Sequence, residues 1–313
     1  MQLTSWTEVG LDTAHEVLTA VEQADGVPFG TTRGEVDEWI EEPHFDPSSD
    51  TVVAVVEGRA VGYAAASHAP AGERLERVHL WGGVLPAYRG RGIGSALLEW
   101  QLARGREQLA EVDPDLPRYI RTWEYDFRSG SHRLFEDHGM VPVRWFEELI
   151  RPVSALEAAA DVEVLPWDPK LHSELVRLLK NDVFTDHWGS TPTDEGTWAV
   201  WMGAENTRLD LSFVAMDDGE LVGFALNGVY PADEAITGRK DGWVESLGVA
   251  RTHRKQGVAS ALLATSVSAF ADAGRSHAML GVDSANPTGA RGLYVRLGFE
   301  PIHRAVSHEL RVD

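Results

Sequence analysis

The chain has no cysteine, few lysines and no long apolar run. Without cysteine it can form no disulfide, no thiolate metal site and no cysteine nucleophile. A membrane-spanning helix needs about 20 consecutive apolar residues, and no stretch of the sequence approaches that length. The first ten residues also lack the basic and then apolar order of a secretory signal. These absences predict a cytoplasmic protein with no membrane partner, and we expect no metal site.

Positive charge is also scarce, because 28 lysines and arginines stand against 49 aspartates and glutamates and leave a net charge of −21. A surface of that sign repels phosphate groups, so we expect no nucleic acid partner. Two interpretations of the acidic surplus stay open. It attracts cationic amines, or it serves solubility alone.

One stretch of the sequence occurs twice, as "YRGRGIGSALL" at 88–98 and as "HRKQGVASALL" at 253–263. Other glycines repeat at similar offsets, since Gly62 and Gly223 are 161 positions apart and Gly139 and Gly298 are 159 apart. Near-equal offsets in one order indicate an internal duplication. The length of 313 residues fits two domains of about 150 residues each. We predict a first domain at 1–152, an Ala-rich linker at 153–160 and a second domain at 161–313.

The order of elements within each copy predicts the fold class. The stretches "TVVAVVEGRAVGYAAA" (51–66) and "LSFVAMDDGELVGFAL" (211–226) combine period-2 apolar residues with a central glycine turn, which predicts a hairpin in each copy. Apolar residues recur with helical spacing after Gly257. We therefore predict an α+β protein with two tandem domains, each a central mixed sheet flanked by helices.

The repeated motif itself places a strand, then Arg-x-x-Gly-x-(Gly/Ala), then the start of a helix. Glycine allows a tight turn that exposes backbone N–H groups, and the helix N-terminus adds partial positive charge. This combination suits a pyrophosphate. No Gly-Lys-(Ser/Thr) follows, so the motif is not a P-loop.

The second copy resembles the GNAT acetyltransferases in "LGVARTHRKQGVASALL" (247–263) and "NPTGARGLYVRLGF" (286–299). The tandem arrangement resembles that of actinobacterial proteins with two such domains. The resemblance implies acetyl-CoA as cofactor, a bulge in the strand before the motif, and a gap beside that strand for the pantetheine arm. It assigns cofactor contacts in the second copy to Leu247, Val249, Arg254, Gly257, Val258, Ala259, Ser260 and Asn286. In the first copy it assigns them to Arg89, Gly90, Arg91, Gly92 and Gly94.

Acetyl transfer to an amine needs a base for the ammonium proton and an acid for the departing thiolate. The resemblance implies Glu245 as the base and Tyr294 as the acid. Other interpretations stay open: Glu245 as a strand-edge carboxylate facing solvent or an arginine, Tyr294 as a core ring, and Asn286 as an Asx turn before Pro287.

The first copy lacks these groups. The repeat offsets place Leu80 at the position of the base, Phe135 at that of the acid and Phe127 at that of the asparagine. His79 is adjacent to Leu80 and is either a substitute base or a structural residue. The first copy keeps the glycine turn, so we expect it to be able to hold a pyrophosphate without performing transfer.

Together these features predict an acetyl-CoA-dependent N-acetyltransferase that acts on the primary amine of a small molecule, with the chemistry in the C-terminal domain and a monomeric or homodimeric state. The alternative is a non-catalytic acyl-CoA-binding sensor. A segment with Trp188, Trp198 and Trp201 is predicted to form either the acceptor pocket or an interface core.

Overall fold

The computed structural model describes residues 1–68, 74–112, 115–158, 160–285 and 289–313. These residues form two compact units, which we call unit 1 (Met1–Trp145 with Ala305–Asp313) and unit 2 (Phe146–Arg304). Each unit is a mixed sheet with helices, so the predicted α+β class is confirmed. Within the described ranges, no helix is long and apolar enough to cross a bilayer.

The strands follow one another in the same order in both halves of the chain, whereas the number of helices between them differs. The first half contains β1 (Gln2–Thr4), α1 (Trp6–Val9), α2 (Leu11–Asp25), α3 (Arg33–Glu41), β2 (Thr51–Val56), β3 (Arg59–His68), β4 (Glu76–Val84), α4 (Ile93–Ala110), β5 (Arg118–Tyr125), α5 (Ser129–Asp137) and β6 (Val141–Pro152). The second half contains β7 (Glu163–Pro166), α6 (Pro169–Val183), α7 (Glu195–Gly203), β8 (Phe213–Asp217), β9 (Glu220–Gly228), α8 (Pro231–Thr237), β10 (Asp241–Val249), α9 (Val258–Asp272), β11 (His277–Asp283), α10 (Ala290–Arg296) and β12 (Glu300–Val312).

The two units exchange their last strands. In unit 1, β1 to β5 lie in sequence order and residues 305–312 of β12 pair with β5. In unit 2, residues 146–152 of β6 pair with β11, and the sheet continues through β10, β9, β8 and β7. The boundaries predicted at 152 and 161 follow the sequence repeat, whereas each compact unit contains the final strand of the other repeat.

Both sheets are covered by helices on their two faces. In unit 1, α2 packs through Val17 and Val21 on the face that carries Tyr63, and α4 packs through Leu97 on the face that carries Ala64. Neighbouring residues of a strand point to opposite faces, so the continuous apolar run of β3 supplies both layers. Unit 2 repeats this arrangement, with α6 and α9 on opposite faces of β8 and β9.

One pair of parallel strands lies in the middle of each unit, and the two strands of each pair separate toward their C-terminal ends. In unit 2, β10 pairs with β11 from Asp241 to Val244, although β10 continues to Val249. In unit 1, β4 pairs with β5 from Glu76 to Leu80 and continues to Val84. The gap implied by the resemblance therefore exists in both units, directly before the repeated motif.

Gly248 lies within the separated part of β10, opposite Phe224 of β9. A Cβ atom at this position would overlap the Phe224 ring and lie 3.0 Å from Val183. Gly281 of β11 is the matched control, because a Cβ there would have no atom of the described residues within 4 Å.

We expect Gly248→Ala to lower the free energy of unfolding by about 1–3 kcal/mol, since the ring must move to make room. Gly281→Ala should change it by less than about 0.5 kcal/mol. Urea denaturation followed by circular dichroism measures both values, and equal stability of the two variants would contradict the close approach.

Candidate active site

The strand that precedes the repeated motif in unit 2 contains a β-bulge. Val244 pairs with Asn227 and Ser246 pairs with Leu226, so Glu245 is the additional residue. The corresponding strand of unit 1 pairs with its neighbour in continuous register from Val78 to Val84. A bulge redirects a side chain and ends regular pairing. The bulge implied by the resemblance is thus present in unit 2, and it positions the candidate base.

Glu245 is exposed to solvent as a residue, although many protein atoms surround its carboxylate. Its Oε1 packs against Gly228, where a Cβ atom would be only 3.0 Å away. The hydroxyl of Tyr230 donates a hydrogen bond to the carboxylate. Desolvation by the surrounding protein raises the pKa of Glu245 to about 7, and the hydrogen bond from Tyr230 opposes part of that rise.

Tyr294 projects from α10 into the apolar core of unit 2, and 8% of the residue is exposed. Its ring meets Phe299 edge-on at 6.2 Å, and the same cluster includes Val244, with Leu247 packed against it. Burial raises the pKa of Tyr294 to about 12. Among the described residues no hydrogen-bond partner is found for its hydroxyl. The phenol of Tyr294 is therefore buried and protonated at neutral pH, and its role as the acid stays a prediction.

The repeated motif in unit 2 forms an uncapped helix start. Gly257 has a φ of 88° and is the N-cap of α9, and no side chain caps the helix. The first helical hydrogen bond runs from the Ala261 amide to the Gly257 carbonyl at 3.0 Å. The amides of Val258, Ala259 and Ser260 therefore have no partner within the helix, and they are available to an anion.

The motif arginine braces this turn in both units. Arg254 Nε donates to the Val249 carbonyl at 3.4 Å, and Arg89 Nε donates to the Val84 carbonyl at 2.7 Å. Each guanidinium thereby ties the turn to the end of the strand before it. The arginine was predicted to contact the cofactor. That contact stays a prediction, and the contacts with the strand end hold the glycine turn in place in both units.

The turn residues adopt the same conformation in both units. Gly90 has a φ of 70°, and the equivalent Lys255 has a φ of 63° although it is not glycine. A bulky residue in this region is uncommon and costs about 1 kcal/mol or more. In unit 1, Gly92 is the uncapped N-cap of α4 with a φ of 79°. Both units thus present the same glycine turn and uncapped helix start, at Gly92 in unit 1 and Gly257 in unit 2, which we call the cradle.

The donor set fits a pyrophosphate in unit 2. The three helix amides supply hydrogen-bond donors, and the separated part of β10 continues to Leu247 and Val249. The predicted contact at Asn286 lies outside the described residues.

Comparisons with known proteins agree with this geometry. The model of the acetyltransferase (GNAT) family matches residues 15–139 and 174–299. The chain belongs to the GNAT acetyltransferase family. It is 28% identical over 251 residues to the mycothiol acetyltransferase of Thermobispora bispora, covering 76% of this chain and 75% of the relative. The corresponding protein of Acidothermus cellulolyticus is 28% identical over 260 residues, covering 78% and 73%.

Solved structures show the same fold. A GCN5-related N-acetyltransferase from Sphaerobacter thermophilus superposes with a TM-score of 0.76 at 23% identity, covering 99% of this chain and 95% of that one. A tandem GNAT protein from the clavulanic acid biosynthesis pathway superposes with a TM-score of 0.72 at 14% identity, covering 99% and 98%. The predicted tandem GNAT architecture is therefore confirmed.

Unit 1 of this acetyltransferase offers no comparable proton-transfer groups at the matching positions. Leu80 is buried in an apolar cluster, and Phe135 packs against His308 with ring centroids 5.3 Å apart. His79 Nε2 accepts a hydrogen bond from Arg77 at 2.7 Å. Desolvation by surrounding protein atoms, reinforced by the charge of Arg77, lowers the pKa of His79 to about 3, although the residue is exposed at its surface. His79 is therefore held neutral and is a weak base.

The tryptophan segment divides between core and surface. Trp198 is buried and donates to Ser173 Oγ at 2.9 Å. Trp188 lies 6.3 Å from the Phe146 ring, and the partly exposed Trp201 lies 5.1 Å from Lys180 Nζ. The acceptor-pocket interpretation stays a prediction for Trp188 and Trp201, whereas Trp198 serves packing.

Sequence reasoning missed Tyr230 and Gly228. Both lie near the end of β9, on the neighbouring strand, and no motif marks them. Their role follows from pairing across the bulge, which depends on register and not on local sequence.

Replacing Tyr230 by phenylalanine tests this contact. Because the hydroxyl stabilises the charged carboxylate, Tyr230→Phe should raise the pKa of Glu245 above its value of about 7. A carbon-13 NMR titration of the glutamate carboxyl carbons measures the pKa, and the signal missing in Glu245→Gln assigns it. An unchanged or lower pKa in Tyr230→Phe would contradict the hydrogen bond.

Proposed function

We propose that this chain transfers the acetyl group of acetyl-CoA to the primary amine of a small molecule, and that unit 2 carries out the reaction. One observation supports this most strongly. In unit 2 a carboxylate with a pKa of about 7 occupies the bulge of the strand that leads into the uncapped start of α9. Unit 1 has the equivalent helix start without the bulge.

Glu245 is suited to accept the proton of an ammonium group. A base works best when its pKa lies near the working pH, because it is then partly ionised and still basic enough to take the proton. Its contact with Gly228 and the hydrogen bond from Tyr230 fix the carboxylate in one position. The solvent exposure of the residue gives an amine a path to it.

Acetyl-CoA supplies the acetyl group as an activated thioester when it is bound. The amides of Val258, Ala259 and Ser260 would hold its pyrophosphate, and the separated part of β10 at Leu247 and Val249 would line the pantetheine arm. Tyr294 keeps its proton at neutral pH because its pKa is raised to about 12. Its phenol is the group we assign to supply a proton to the departing sulfur.

The acceptor is the least defined part of the reaction. The relatives that match along about three quarters of the chain are named mycothiol acetyltransferases, so their acceptor is the first compound to assay. Lys180 lies 5.1 Å from the ring of Trp201, which is predicted to line the acceptor pocket, and burial lowers the pKa of Lys180 to about 8. A panel of small primary amines with thiol release as the readout would define the acceptor.

Replacing Tyr294 by phenylalanine tests the acid. The ring and its contact with Phe299 remain, so we expect the fold to persist while kcat falls by about 10²–10⁴-fold. Affinity for acetyl-CoA, measured by calorimetry, should stay within about threefold, because the phenol is assigned to proton transfer and not to binding. An unchanged kcat would show that another group protonates the sulfur.

The two cradles provide a matched test of which unit works. Gly257→Asp and Gly92→Asp each place a carboxylate at an uncapped helix start, and both carry a similar backbone strain because both glycines have a positive φ. We expect Gly257→Asp to reduce turnover by about 100-fold or more through repulsion of the pyrophosphate, and Gly92→Asp to keep most of it. Steady-state assays of both folded variants decide, and the reverse pattern would move the chemistry to unit 1.

A further inference from the structure

Three leucines of α6 lie in one row on the surface of unit 2. Leu171, Leu175 and Leu178 are 66%, 50% and 52% exposed. Their spacing of four and then three residues places them along one side of the helix, as at the contact positions of a coiled coil. Exposed apolar residues that are scattered singly are normal on a protein surface. These three instead form a continuous apolar strip, which we call the leucine row.

The leucine row lies away from both the core and α7. The core side of α6 carries the buried Val176. On another side α6 contacts α7, where the Trp198 indole donates to Ser173 Oγ at 2.9 Å. At 3.6 residues per turn, Ser173 is on nearly the opposite side of the helix from Leu171. The packing of α6 within unit 2 therefore leaves the leucine row exposed.

The corresponding helix side in unit 1 is covered. α2 and α6 follow the edge strands β1 and β7, each has 15 residues, and both bury their fourth and eighth residues. The seventh residue of α2 is Val17, which is 4% exposed, and that of α6 is Leu175. α1 packs on α2, and its Trp6 belongs to the same apolar cluster as Val17. Within the described range 160–285, two residues separate β7 from α6, so no counterpart of α1 precedes α6.

The charges at the two ends of α6 are complementary to each other. Lys170 lies near the N-terminal end of the helix and Asp182 near its C-terminal end, and both residues are exposed. Among the described residues neither side chain has an ion-pair partner. The helix has three lysines and arginines against two acidic residues, although the net charge of the chain is −21. This surface therefore lacks the acidic surplus that would repel a second copy of the chain.

One antiparallel register of two α6 helices suits both the leucines and the charges. It pairs Leu175 of one copy with Leu178 of the other. This register centres each helix on the other, because the midpoint between these leucines lies beside Val176, the middle residue of α6. The helices then overlap over their full length of about 22 Å. Lys170 of each copy comes within one residue of the level of Asp182 of the other.

We propose that the leucine row of α6 binds a second copy of this chain, with the two α6 helices antiparallel across a two-fold axis. The leucines pack against one another, and Lys170 of each copy pairs with Asp182 of the other. A contact of this kind is closed by its symmetry, so it forms a dimer. Two helices of this length bury less than the about 800 Å² per partner of a standard interface, so we expect a Kd on the order of 10–100 µM.

Sedimentation of the full chain between about 1 µM and about 1 mM tests the dimer, because this range brackets the expected Kd. The average mass should rise from 34.4 kDa toward twice that value. Leu175→Glu should stay monomeric, since it places a charge in the row and glutamate still favours a helix. Ile236→Glu is the matched control, because Ile236 is 46% exposed on α8, and it should associate as the wild type does. A wild type that stays monomeric, or association that persists in Leu175→Glu, would overturn the proposal.

Charge reversal tests the antiparallel pairing, and none of these measurements depends on the reaction assigned to unit 2. Lys170→Glu and Asp182→Lys should each weaken association by about fivefold to tenfold, and the double variant should restore it to within about threefold. Because the chain is strongly acidic, general repulsion alone would make Asp182→Lys associate more tightly than the wild type. Tighter association of Asp182→Lys, or a double variant as weak as the single ones, would contradict the proposed contact.

Discussion

The bulge at Glu245 is the constraint on which the candidate active site depends. Without the bulge, the side chain at this position would point into the packed core. Leu80 does so in unit 1, where the strand is in continuous register. The extra residue in β10 allows a carboxylate to lie against Gly228 while Val244 and Leu247 on either side remain in the apolar cluster with Tyr294. A charged group can therefore sit next to a core without an arginine partner. The cost of that position is the raised pKa, which is also the property a base requires.

The two units show how one backbone supports different chemistry. Both have the separated parallel pair, the arginine that braces the turn and the left-handed glycine before an uncapped helix. They differ in the side chains next to the gap. Unit 2 has a single carboxylate of raised pKa there, whereas unit 1 has an ion-pair network around Asp25 with aromatic rings beside it. Duplication preserved the features that depend on the backbone, and the side chains then diverged.

The fold class and the repeated cradle could be predicted from the sequence because their signals are local. A glycine before a helical apolar pattern predicts a turn and a helix start, and Gly92 and Gly257 both adopt the positive φ that this requires. The exchange of β6 and β12 could not be predicted, because both strands have similar patterns and either one could close either sheet. Tyr230 was missed for a related reason, since its contact with Glu245 depends on register across β9 and β10. Lys255 gives no sequence signal for its left-handed conformation, which only alignment with Gly90 suggests.

The acidic surplus of the chain leaves two interpretations open, attraction of cationic amines and solubility alone, and the carboxylates of unit 1 show why net charge does not decide between them. Net charge alone acts over the whole surface and supports solubility as readily as recognition. Four carboxylates and two guanidiniums line one cavity of unit 1. Their charges interact more strongly than surface charges do, because protein there excludes much of the water that screens them. Asp25 is nearly buried and is held by two arginines, so its charge is balanced within the protein. Glu124 also pairs with Arg128, and Glu22 accepts hydrogen bonds from Thr31. The general acidity of the chain therefore does not by itself indicate a ligand, and buried carboxylates of unit 1 serve ion pairs and hydrogen bonds within the protein.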